Sequence, residues 1–239
     1  MKMFFTLFAM LAFLLPMVRA QETLTVNDGT ATNSYIPVYG MWVDTEGQCS
    51  EFIIPAESLA EMTGGTISKL TFYIKTSATY AWASVHNVYM KEVDGTTLST
   101  LSCGADATVV YSGVLSATGT TMEISFTEDF QYNGGNLLIG EIVTAIGTYK
   151  SASFYGVGDL TSGVSAYRQG ASSSYSTVNT QTFLPKVTFE YTPGGGNICR
   201  RPSGLAVDAS VTTTTSLTFG WTYTDHVPGH ALIMWLIIH

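Results

Sequence analysis

The sequence is short of charge, and of basic residues above all. Lys and Arg number 10 against 18 Asp and Glu, and charged residues make up 12% of the 239 positions. Nucleic-acid phosphates are held by clustered Lys and Arg. No basic stripe is present, which argues against nucleic acid as a partner. Cysteine is equally scarce. Cys49, Cys103 and Cys199 lie far from any C-x-x-C spacing, which argues against the common zinc and dithiol-redox sites. Isolated thiols are the expectation; in an exported chain a Cys49–Cys103 bridge is the alternative, with Cys199 left over either way. Histidine is represented by His86 and by three residues near the end, His226, His230 and His239. No G-x-S-x-G turn accompanies His86, which argues against a serine-type triad. "HVPGH" (226–230) spaces two histidines as a zinc-binding helix would, but Pro228 and Gly229 break such a helix. Helical patterning is nearly missing too. Only "PAESLAEM" (55–62) has it, with Pro55 suited to a first turn and Gly64 to a stop.

What is present begins with a leader. "MKMFFTLFAMLAFLLPMVRA" (1–20) carries Lys2, an apolar run through Leu15 and a small-residue exit at Ala20, the layout of a secretory signal peptide. Its apolar core is too short for a comfortable membrane span. No membrane span is expected once it is removed. Past residue 20, eight basic residues face eighteen acidic ones, a net of about −10.

From 21 to 193 the pattern alternates with period two. In "TISKLTFYIK" (66–75), Leu70, Phe72 and Ile74 share one face; in "TTMEISF" (120–126), Met122, Ile124 and Phe126 do. "NLLIGEIV" (136–143) is more continuously apolar, and "TFLPKVTFEY" (182–191) closes the region. Turn signals punctuate it: "NDG" (27–29), "TGG" (63–65), "VDG" (93–95), "ATG" (117–119) and "YNGG" (132–135). The expected fold is all-β: an antiparallel two-sheet β-sandwich of jelly-roll type with one short helix. "TPGGGN" (192–197) then interrupts, so residues 194–200 read as a Gly-rich linker.

Beyond the linker, "RPSGLAVDASVTTTTSLTFGW" (201–221) resembles the start of a fibronectin type III domain: a P-x-x-L opening, a strand, a Thr-rich turn and a strand ending on Trp221. A whole module needs about 100 residues, so 201–239 is expected to be an incomplete one. After Trp221 the alternation is lost, and a truncated or frame-shifted ending is expected there. The body resembles secreted β-sandwich proteins of Bacteroidetes-type bacteria that precede fibronectin type III modules. "YIPVYGMWVD" (35–44), "IIPAESLAEMTGGTISKLTFYI" (53–74), "YNGGNLLIGE" (132–141), "SASFYG" (151–156) and "FLPKVTFEYTP" (183–193) carry that likeness. It implies an exported, surface or adhesive role and supplies no catalytic residues.

Candidate chemistry is sparse. His86 falls in register with Val88 and Met90 on an apolar strand face, where a satisfied core histidine is expected. Asp44 and Glu46 in "VDTEG", and Glu128 with Asp129 in "TEDF", lie at expected loop edges and are the candidates for a structural calcium; solvated turn residues are the commoner outcome. Trp42, Tyr80, Trp82 and Tyr155 flank expected turns or strand ends, where exposed rings would stack on sugars, although core packing is the usual fate of such rings. These residues point to a non-catalytic secreted or cell-surface binding module, its partner a host or surface protein or glycan. A carbohydrate-binding accessory domain is the alternative, and a glycosidase or peptidase ranks third.

Overall fold

The computed structural model describes residues 20–39, 47–147, 150, 152–169 and 178–194, apart from the side chain of Tyr80. It also describes the backbone of 203–207, 217–223, 232–233 and 236–238. The expected leader through residue 19, residues 195–200 of the expected linker, and Trp42, Asp44, Glu46, Cys199, His226, His230 and His239 lie outside them. The chain divides into two compact units, Met1–Gly196 and Asn197–His239.

The first unit is all-β and antiparallel. Its strands are β1 (Glu22–Val26), β2 (Ala31–Asn33), β3 (Gln48–Ile54), β4 (Thr66–Val93), β5 (Thr108–Gln131), β6 (Asn136–Ala145), β7 (Phe154–Val157), β8 (Ser165–Gln169), β9 (Asn179–Gln181), β10 (Leu184–Pro185) and β11 (Val187–Thr192). The expected short helix is a 3-10 helix, Ala56–Met62, that buries Leu59 and Met62. Gly64 follows it at φ 76°, a left-handed conformation that glycine adopts without penalty.

Strand β4 organises this unit. Its first part pairs with β11, from Thr66↔Thr192 to Phe72↔Val187, and its last part pairs with β6, from Val85↔Ala145 to Val93↔Asn136. β5 accompanies it along both parts, with four register shifts; the two in mid-strand, between Tyr73 and Ala78 and between Ala81 and Val85, form the first and second bulges of β4. Bulges of this kind bend a strand and increase its twist. "ATG" (117–119) is therefore not a turn that ends a strand. It lies inside β5, where Gly119 has φ 63° opposite Ala78.

Even-numbered side chains point inward at both ends of β4. Leu70, Phe72 and Ile74 are buried, and after the bulges so are Trp82, Ser84, His86, Val88 and Met90. Phe52 of β3 meets the Phe72 ring nearly at right angles, with centroids 6.1 Å apart, and Phe72 meets Phe154 of β7 in the same way at 6.5 Å. Edge-to-face rings at such separations add to the burial itself.

The outward face of β3, β4 and β6 is covered as well. Ile53, Tyr89, Leu98, Leu138 and Ala166 form a second apolar cluster under the chain that joins β4 to β5. Cys49 and Cys103 are joined by a disulfide that ties this connection to β3, with Cα atoms 5.9 Å apart. The expectation of isolated thiols is thereby corrected, because strand pairing and the returning loop bring together residues 54 positions apart. Beside the bridge the buried Glu51 carboxylate accepts hydrogen bonds from the Tyr89 hydroxyl (2.8 Å), the Ser102 hydroxyl (2.5 Å) and the Ser102 and Cys103 amides (3.0 and 2.8 Å). Burial, and then the Glu51 charge, push the Tyr89 phenol far above its ordinary range, so it stays a donor.

The second unit is described by its backbone alone. β12 (Ser203–Val207) pairs antiparallel with β13 (Leu217–Tyr223), which also pairs with β14 (Leu232–Ile233) and β15 (Leu236–Ile238). The segment after Trp221, where alternation is lost, thus still supplies strand partners.

Replacing Cys49 and Cys103 with serine should lower unfolding free energy by about 2–4 kcal/mol in denaturant titrations, the range for cross-links closing long loops. It should also speed amide exchange at 98–105. Unchanged stability would show that the Glu51 hydrogen bonds suffice alone. The Tyr132 phenol, which donates to the Gly135 carbonyl at 2.7 Å, is pushed up to about 12 by burial and then by Glu92. The folded state therefore keeps a proton that the unfolded chain loses near pH 10. Its contribution is whole below about pH 10 and declines as pH rises to about 12. Thermal melts across that window should show this slope, and Tyr132→Phe should reduce it, the part due to Tyr89 remaining.

Candidate functional site

Among the described residues, two groupings of side chains are the candidates for chemistry, one inside the core and one on the surface. The internal one is built by strand pairing. Ser50 of β3 lies opposite Glu141 of β6, and Val88 of β4 lies opposite Glu141 on the other side. Inward alternation then points Gln48, Ser50, His86 and Glu141 at one another.

Glu141 takes a proton donor from each neighbour. Gln48 Nε2 donates to Oε1 at 2.6 Å, and the Ser50 hydroxyl lies 3.0 Å from the same oxygen and 2.5 Å from the Pro37 carbonyl. His86 Nδ1 lies 2.8 Å from Oε2. The four residues are 0–3% exposed. A serine, a histidine and a carboxylate are present, but in the wrong order. In a hydrolytic triad the imidazole stands between hydroxyl and carboxylate. Here the carboxylate stands between the other two. The arrangement fastens three strands from within, and it places His86 among core residues.

The surface site is a cleft of about 390 Å³. Five chain segments meet there: the β1–β2 turn with Asp28, the first bulge of β4 with Tyr73 and Lys75, Thr120 of β5, Tyr155 of β7, and Lys186 just before β11. The turn fits because Gly29 has no side chain; a Cβ there would collide with the Gly156 carbonyl oxygen. Asn27, at φ 54°, closes the turn and donates from Nδ2 to the Pro185 carbonyl at 3.2 Å. On the other side the Lys186 amide donates to the Tyr155 carbonyl at 2.7 Å, and the Lys75 amide donates to the Ser153 carbonyl at 2.8 Å.

These backbone ties hold the side chains in place. The Tyr73 hydroxyl is 2.7 Å from Thr188 Oγ1, which lies 2.7 Å from Thr25 Oγ1. The Lys186 ammonium sits 4.6 Å from the Tyr73 ring centroid and 2.5 Å from Asp28 Oδ1. The cleft thus offers two half-buried phenol rings, a fixed ion pair and a second lysine.

A second cleft, about 530 Å³, lies between Glu57, Thr96, Thr97 and Asn136. No aromatic ring lines it. Its Asn136 side chain is already committed to the Ala56 amide and to the Asp94 and Gly95 carbonyls.

Of the four rings expected to contact a ligand, the structure places Tyr155 in the surface cleft and removes Trp82 from the surface. Trp82 is 0% exposed and its ring lies 6.4 Å from Phe154 at an interplanar angle of 20°. The second bulge of β4 turns it into the core, which corrects its expected place at an exposed strand end. Tyr80 belongs to β4 opposite Ala117, with its side chain outside the described residues. Glu128 and Asp129, the other calcium candidates, are exposed on β5. Among the described residues no three of His, Cys, Asp and Glu gather as a metal site.

Sequence reasoning missed Tyr73, Lys75, Lys186 and Asp28. Only the "NDG" turn signalled any of this, and it carried no hint of its partners. It also missed a ring cluster in which Tyr35 stacks on Tyr167 at 4.5 Å and Tyr39 lies 4.9 Å from Tyr167. Those rings cover one another. No protein family, curated protein or solved structure matches the chain.

Glu141→Ala should lose about 3–5 kcal/mol of stability, because Gln48, Ser50 and His86 are left buried without their shared acceptor. Urea unfolding measures this directly. A loss under about 1 kcal/mol would mean that the network does not fasten the core.

Proposed function

We propose that this chain is an exported, non-catalytic binding module: a jelly-roll β-sandwich that holds a glycan in the cleft between Tyr73, Tyr155 and Lys186. The observation that carries this reading is the cleft itself, lined by two phenol rings, one of them anchored to Thr188, beside an ion pair. Rings of this kind stack on the apolar faces of sugars, while flanking polar groups meet the hydroxyls. Its volume of about 390 Å³ lies within the range of small-ligand sites.

Four further features support the reading. The Cys49–Cys103 bridge suits an oxidising compartment, in keeping with the leader at 1–20. The Phe52–Phe72–Phe154 contacts suit two sheet layers packed face to face, with β4 bending from one into the other. Antiparallel pairing of Val207 with Phe219 suits a fibronectin type III-like start after the linker. The serine, histidine and carboxylate of the core are locked to one another, which favours binding over hydrolysis.

The test is a glycan array followed by calorimetry, using the full chain. Binding should appear, and Tyr155→Ala should weaken it about tenfold, the equivalent of one lost stacking contact. A chain that binds no sugar, or a Tyr155→Ala variant that binds as well as the parent, would overturn the proposal.

A further inference from the structure

We propose that the ligand of this cleft is an acidic sugar, one whose ring bears a carboxylate or a sulfate. This rests on the glycan reading above and adds the charge of the ligand to it.

The cleft is out of balance with the rest of the chain in charge. Residues 21–193 contain six basic side chains, and two of them, Lys75 and Lys186, line this one cleft against a single carboxylate, Asp28. The cleft therefore has a surplus positive charge in a chain whose net charge is −8. Lys186 is already committed, bonded to Asp28 and resting over the Tyr73 ring. Lys69, which also lies on β4, is held by Glu123 at 3.0 Å and Glu190 at 3.5 Å.

Lys75 differs from both. It is exposed and, among the described residues, has no carboxylate within 4.0 Å. Its backbone is fixed by the bond to Ser153, so its ammonium group works from a defined base.

A charge in a concave site flanked by apolar rings acts through a lower effective dielectric than one on open surface. An anionic group on a sugar would meet Lys75 in a charge-assisted hydrogen bond, among the stronger polar contacts available. Asp28, paired with Lys186, repels a second anion and accepts from hydroxyls instead. The site then distinguishes one acidic substituent per sugar from a densely charged polyanion. The rings select the pyranose face, Lys75 its acid group, and the Asp28–Lys186 pair its hydroxyls.

The experiment uses the full chain on matched neutral, uronate and 6-sulfated oligosaccharides of the galacto, gluco and manno series, with calorimetry on the best set. Acidic members should bind about tenfold or more tightly than their neutral partners, and rising salt should narrow that gap. Lys75→Gln should abolish the gap, and Lys75→Arg should retain it. Circular dichroism checks that both variants fold. The uronate and sulfate arms identify which acid group is preferred, and a preference for either supports the proposal. Equal binding of neutral and acidic members would overturn the acidic preference and leave the glycan reading standing. Acidic preference that survives Lys75→Gln would overturn the role of Lys75. Absence of binding to every sugar would overturn both.

Discussion

A strand of 28 residues cannot remain flat in a unit this size, and the architecture depends on where β4 gives way. Strands usually run for about six residues. β4 exceeds that with the help of several register shifts, and its two mid-strand bulges re-aim the residues beyond them. Before the first bulge it serves β11, and after the second it serves β6. β5 has to take the same path, so one hairpin joins both parts of the unit and lines the core along its length. The first bulge also opens the surface cleft at Tyr73 and Lys75, and the second carries Trp82 inward.

Two buried carboxylates then lock this frame from opposite sides of β3 and β6. Glu51 faces the loop above the sheet, while Glu141 faces the core. An ionised carboxylate without partners would be very costly there; each instead gathers several donors from separate segments. The arrangement also needs Gly140, whose missing side chain makes room for Tyr89. A Cβ at that position would lie 2.5 Å from the ring. Tyr89 can therefore lie across the strand and reach Glu51. Polar groups inside such a core specify which strands meet, because each wrong pairing leaves a donor or acceptor unsatisfied.

The proposed binding role uses the other kind of polar group, those left at the surface after the frame is made. Tyr73 and Tyr155, half-buried on β4 and β7, line the cleft, and the Tyr73 hydroxyl is tied to Thr188. Asp28 arrives by way of a turn that only a glycine neighbour permits. No single segment contains more than three of the lining residues consecutively, which is why no linear motif announces the site.

Much of the β character was legible from residue order alone. Period-two alternation marked the strand starts at 66 and 136 and the core-facing register of His86, because burial of one strand face imposes that period on the side chains. The helix at 56–62 was marked by its proline start and glycine stop. Tyr155 was named for its place beside a turn. Alternation could not tell that β4 continues past residue 75, since a bulge interrupts pairing without ending the strand. Nor could it tell Trp82 from Tyr155, two aromatics at comparable positions, because exposure depends on which way a bulge turns the chain. The Cys49–Cys103 bridge and the cleft required tertiary structure for the same reason. They join residues far apart in the chain, and only the packing of the strands brings such residues within bonding distance.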